Sequence, residues 1–334
     1  MSSFTAKLGY LFRQRSFQVA LALWVAICVG AVALCHGTMP LPIGPHPGEP
    51  VAMVIWSSIA LLFLVLEAGL VARITRHRAW PDLAARAPER SVALRETLAL
   101  LLYGALVLLI GRFVGLHYFG EGIAMHLNGS LVGATRVQSP AEVYTWAAYN
   151  GFLLGLVPYV VFRVRGYSHE QLNLKSSNLK NDVIVIAVVL AIGCFLDLIL
   201  DGNFLKLTHH QQIAGGLLSF VLHLFGTDLP VMIFIYSILV PRYAKLTAPV
   251  TAFLLGAASY PAIHVFESWT RYDSLQHSLL SVIVVFLIFF PAGVMKSFLT
   301  VRTGNAWAHV WGFHAVSPHV TVDTRLIVRD FDIH

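Results

Sequence analysis

"VIVIAVVLAIGCFLDLIL", residues 183–200, runs for 18 residues with one charge, Asp197. A helix of that length and composition reaches across the ~30 Å hydrocarbon core of a bilayer. Similar apolar runs cover 17–35, 52–72, 96–116, 142–164, 182–200, 211–241, 247–266 and 277–298, and a less apolar helix follows at 304–318. The pattern predicts an all-α, polytopic membrane bundle of about eight spanning helices with a shorter C-terminal helix. Composition points the same way. The 334 residues are 57% hydrophobic and only 12% charged, with a mean hydropathy of +0.71, whereas soluble domains are about one quarter charged. The run at 17–35 lacks a small-residue cleavage site and has further spans after it, so it reads as a helix and not as a signal peptide.

The net charge of +6 does not signal nucleic-acid binding, because the basic residues are distributed by loop. Lys7, Arg13 and Arg15 precede the first span; Arg73, Arg76, Arg78, Arg86, Arg90 and Arg95 fill the second loop. Arg163, Arg165, Lys175 and Lys180 fill the fourth, Arg242 and Lys245 the sixth, Lys296 and Arg302 the eighth. The alternate loops hold only Arg136, Lys206 and Arg271. By the positive-inside rule the amino terminus is expected in the cytoplasm, in a bacterial inner membrane, with membrane lipids as the surrounding partner. Cys28, Cys35 and Cys194 lie in or beside apolar segments without CxxC spacing, which suggests neither a disulfide framework nor a metal cluster. No repeat of 20 to 50 residues is present. The chain divides into amino-terminal helices (1–165), a core (166–320) and a tail (321–334), with the polar linker 165–182 expected as an interfacial helix.

Ionisable groups inside a membrane are costly and face a bundle interior or a wet pocket. The candidates are Glu67, Arg112, Asp197, His223, Asp228, His264, His309 and His314. Glu67 and Arg112 can pair; Asp197 lies near the end of its span and reads as solvated. "GTDLP", residues 226–230, interrupts the sixth span and reads as a helix start beside a polar cavity. Counting helical rise from the loop ends puts Asp228 ~20 Å, His264 ~25 Å and His314 ~18 Å deep, a common level for three helices. His309 and His314 are five apart, about 140° around a regular helix, which sets them on different faces.

Residues 240–266, "VPRYAKLTAPVTAFLLGAASYPAIHVF", and 299–315, "LTVRTGNAWAHVWGFHA", resemble the CPBP (Abi) family of intramembrane endopeptidases, which includes CAAX prenyl proteases. Tyr260 and His264 match an aromatic-to-histidine motif; Thr303, Gly304, Asn305, Trp307 and His314 match a later one with its histidine displaced by about one residue. The resemblance covers 226–320 and lacks the family's EExxxR motif, as well as the Asn or Asp expected after the last histidine. It implies a peptidase acting on a membrane-anchored peptide, with Asp228 as general base and His264 and His314 holding the oxyanion. Glu267, His309, His319 and Asp323 are the alternative site residues. Glu267 precedes "SWTRYDS" and reads as a solvated interfacial group. No cofactor is required on this reading. A metal ion enters only if Pro318 breaks the helix and folds His319 and Asp323 back toward the other histidines. A catalytically inactive binding protein and a His-rich metal-binding protein remain the other two readings.

Overall fold

The computed structural model describes residues 10–35, 37–43, 49–130 and 136–334. Lys7, and 44–48 of the Pro/Gly-rich loop after the first span, lie outside them. The described residues are helical and contain no strand. Among the described residues seven helices are long and apolar enough to span a membrane: α1 (Arg15–Cys35), α2 (Pro50–Ile74), α3 (Arg90–Phe119), α4 (Pro140–Val164), α5 (Leu179–Leu200), α6 (Gln211–Leu246) and α8 (Leu275–Thr303). Between the last two, α7 (Pro249–Ala262) has 14 residues and stops partway. This is a multi-pass membrane protein built as an all-α bundle.

After α8, Gly304 adopts φ +65°, and the chain turns back into the bundle. The returning segment is broken into short pieces: α9 (Trp307–His309), a π turn at Val310–His314, α10 (Ser317–Thr321) and α11 (Thr324–Asp330). Pro318 opens α10 at a position where its missing N–H has no helical partner to lose.

Arginines fasten one end of the bundle. Arg86 donates to the Asn173 side chain at 2.6 Å and to the Gly304 carbonyl at 2.5 Å. Arg78 pairs with Asp182 and donates to the Thr303 carbonyl, while Arg302 reaches the Thr75 backbone. Arg242 is fully buried in α6, not in a loop as its place in the sequence suggested. Its guanidinium pairs with Glu96 of α3 at 2.7 Å and lies over the Phe162 ring at 4.4 Å. Tyr167 and Arg165 also bind Glu96. The buried Arg242 and Glu96 charges are therefore paired with each other, as a low-dielectric site demands.

At the other end, the connection from Gly120 to Ser130 is not helical, yet Ile123 through Ser130 are all buried. Irregular backbone is tolerated at membrane depth only under protein cover. Here the cover is α4: Trp146 and Asn150 both donate to the Ala124 carbonyl, at 3.1 and 2.8 Å.

Three local expectations are corrected. GTDLP does not start a helix: α6 continues through it as a π turn at Leu224–Asp228, and Asp228 has αR angles and no capping bond. A π turn closes i to i+5 bonds, and this wider turn carries Pro230 without a break. Glu67 and Arg112 do not pair: Glu67 Oε1 is buried without a hydrogen-bond partner, and Arg112 stacks over Phe266 and Tyr272. Asp197 is partly buried and accepts from Ser317 and Thr321, tying α5 to the returning segment.

Candidate metal centre

Six histidines and three carboxylates converge where α6, the end of α7, the Gly120–Ser130 connection and the returning segment meet. His126, His223, His264, His309, His314, His319, Asp228, Glu267 and Asp323 are all buried. Two π turns are responsible for part of this. His223 and Asp228, and likewise His309 and His314, are five residues apart, a spacing that scatters side chains on an α-helix. A π turn stacks such residues on one side. The His309 and His314 rings lie 6.2 Å apart, which overturns the expectation that they face away from each other. Beyond the kink at Pro318, a third step of five places His319 with its ring 5.0 Å from His314.

The ring nitrogens are used asymmetrically. His264 Nδ1 bonds the Tyr260 carbonyl at 2.6 Å, and His223 Nδ1 the Ser219 carbonyl at 2.8 Å. A carbonyl only accepts, so both Nδ1 atoms carry the proton and both Nε2 atoms carry a lone pair. His319 Nδ1 bonds Asp323 at 2.8 Å, and His126 Nδ1 bonds Glu267 at 3.2 Å. In all four residues Nε2 is buried and has no hydrogen-bond partner among the described residues. Those atoms face further ligand-type atoms: His223 Nε2 is 3.4 Å from Asp323, His319 Nε2 3.7 Å from Asp228, and His264 Nε2 4.0 Å from Glu267. His314 offers Nδ1, 2.9 Å from Asp228 Oδ1 but not aligned as a hydrogen bond. Both Asp228 oxygens lack a hydrogen-bond partner among the described residues.

Histidine bonded through one nitrogen to a carbonyl or carboxylate, with the other nitrogen free, is the arrangement found in metal sites, where the outer partner fixes tautomer and ring orientation. Buried lone pairs that face one another cost free energy unless a cation or proton joins them. Protonation favours ligation at His126 and Asp323. Burial pushes His126, outside the spanning helices, down to about 3, the Lys296 charge acting the same way. At Asp323 burial acts upward, but the hydrogen bond from His319 and the adjacent imidazoles outweigh it and hold the carboxyl down at about 2. Burial lifts Glu267 well above the usual carboxylate range, a backbone hydrogen bond from His126 opposing it. A neighbouring cation favours its ionised form.

Of the residues singled out in the sequence, Asp228, His264, His314, His319, Asp323 and Glu267 therefore meet in one chamber. Glu267 is buried and not solvated, because the turn after α7 folds inward under His126. His319 likewise sits inside the bundle. His309 packs on Tyr236 at 4.4 Å between ring centroids, with both ring nitrogens unpartnered. Two residues were missed. His126 lies in an apolar connection whose Ile123, Met125 and Leu127 were the available signal, since a solvated loop has no use for them. Lys296, assigned to a loop, is buried in α8 with Nζ 3.5 Å from the Tyr260 ring centroid. The helix runs on to Thr303, seven residues further.

An apolar groove of about 770 Å³ runs beside the chamber. Leu222, Phe225 and Leu229 of α6 and Gly151 and Gly155 of α4 form its walls. Leu222 and Leu229 are chain neighbours of His223 and Asp228, so one helix separates the polar chamber from the groove.

Comparison of the chain with protein families, with curated proteins and with solved structures finds no match.

Proposed function

We propose that the protein is a membrane-embedded metalloenzyme that activates water inside the bundle to hydrolyse a bond in a membrane-anchored substrate. The observation that carries this reading is the set of four imidazoles with Nδ1 anchored and Nε2 buried, unpartnered and turned toward other ligand atoms. Imidazole and carboxylate together suit zinc, iron or manganese. A bound ion of this kind lowers the pKa of its water and polarises a carbonyl or phosphoryl oxygen. The chain's own contribution is to orient the ligands and to bury them together, with Asp228 adding a further carboxylate beside them. The apolar groove along α6 suits the hydrocarbon part of a substrate, which the lipid phase supplies directly. The arginine-rich end is read as cytoplasmic, with a bacterial inner membrane as the setting.

The test is cobalt loading of the full chain in detergent. The wild type is expected to show the intense visible bands of low-coordinate Co(II), weakened in His264→Ala and in His319→Ala and lost when the two are combined. A wild-type spectrum identical to that of hydrated Co(II) sinks the reading.

A second reading follows from the resemblance to CPBP peptidases. The Asp228 to His314 approach of 2.9 Å, with Tyr260 Oη 3.4 Å from the same imidazole, supports a metal-free peptidase that uses Asp228, His264 and His314. Cleavage of a prenylated or lipidated peptide that persists in strong chelator and stops in Asp228→Asn selects this reading over the first.

A further inference from the structure

We propose that the chamber binds two metal ions, each on its own set of two histidines and one carboxylate. This deepens the metalloenzyme reading and rests on it. One set is His126, His264 and Glu267; the other is His223, His319 and Asp323. The two share no residue, and within each set one ligand atom from every member lies within 4.8 Å of the others.

The sets come from different parts of the fold. The first joins the buried connection before α4 to the turn after α7. The second joins α6 to α10 and to Asp323, two residues past its end. They are nonetheless adjacent: the His126 and His319 rings are 5.8 Å apart, and His126, His314 and His319 form a further close group across the boundary. Asp228 lies beside that boundary, near His314 and His319, and its two unpartnered oxygens suit a carboxylate shared between ions. Asp323 keeps Oδ1 free for a metal while Oδ2 accepts from His319 and from Ser130 at 2.6 Å.

Two histidines and one carboxylate leave coordination positions open for water or substrate. Two such ions side by side can hold the attacking oxygen on one and the leaving oxygen on the other. The substrate class that this serves is an ester, phosphoester or amide at the polar end of a membrane-anchored molecule. Single-ion chemistry would need only one of the two sets.

The experiment is a Zn(II) titration of the purified full chain in detergent, with bound metal per chain read by elemental analysis after desalting. Two ions per chain are expected in the wild type. Glu267→Gln with His264→Ala, and separately His223→Ala, are each expected to retain one. One ion per chain in the wild type overturns the two-ion assignment while leaving the metalloenzyme reading standing. No bound ion overturns both. The wild-type count does not depend on how well any variant folds. A Mn(II)-loaded sample adds a spectroscopic check: a spin-coupled multiline resonance is expected, and an isolated six-line signal counts against the pair.

Discussion

Asp323 sets the chemistry of His319. It accepts from Nδ1 and is itself held by Ser130, so the imidazole presents Nε2 to the chamber in one orientation. Replacing it by asparagine keeps the size and removes the charge, and the amide can equally turn an N–H toward the ring. Asp323→Asn is expected to weaken Zn(II) binding by at least about 10- to 100-fold, the cost of losing an outer partner, because it also alters a ligand of the ion. Competition with a chelating dye measures it; unchanged affinity denies Asp323 an orienting role. Depth counting from the sequence reached Asp228, His264 and His314, because each sits on or just past a helix whose rise can be counted from a loop end. Glu267 escaped that reasoning. Its neighbours "SWTRYDS" resemble a wet turn, and only the packing of His126 above it makes the position dry.

At the scale of the element, the spacing of five is the decisive feature. Regular α geometry sends His309 and His314 apart, and the sequence alone gives no sign of a π turn. Seven of the eight apolar spans were legible because hydropathy over 18 or more residues outweighs local detail; the eighth, 247–266, is the 14-residue α7. The π segments were not, because they depend on which side chains need to share a face after packing. Gly226 lies in the turn that carries Asp228, and a Cβ there would fall 2.2 Å from the Trp146 ring. Trp146 cannot retreat easily, since its indole N–H holds the Ala124 carbonyl. Gly226→Ala is therefore expected to cost about 1–3 kcal/mol, the range for overpacking a filled interior. Thermal unfolding in detergent should fall measurably, with partial recovery when Trp146→Phe is added. An unchanged melting temperature contradicts the close approach.

For the whole molecule, the fixed point of the arginine-rich end is the Glu96 to Arg242 pair between α3 and α6. Glu96→Ala strands a fully buried guanidinium and is expected to destabilise by about 3–5 kcal/mol. Denaturant titration of the detergent-solubilised protein measures this; a loss below about 1 kcal/mol indicates that water reaches the pair. Orientation has its own test. In a variant without Cys28, Cys35 and Cys194, a cysteine at Lys175 and one at Asp273 sit on exposed residues at opposite ends. In intact cells a membrane-impermeant maleimide is expected to label Asp273→Cys and spare Lys175→Cys. The reverse pattern inverts the topology.

The buried connection from Gly120 to Ser130 also constrains the order of biogenesis. Its peptide groups and His126 belong to the first half of the chain, but Glu267, Asp323 and the imidazoles beside them are translated much later. Until those partners emerge, α4 alone holds the connection, through the Trp146 and Asn150 bonds to the Ala124 carbonyl, and His126 and Ser130 lack their carboxylates. The cluster is therefore complete only when the last third of the chain has joined the first.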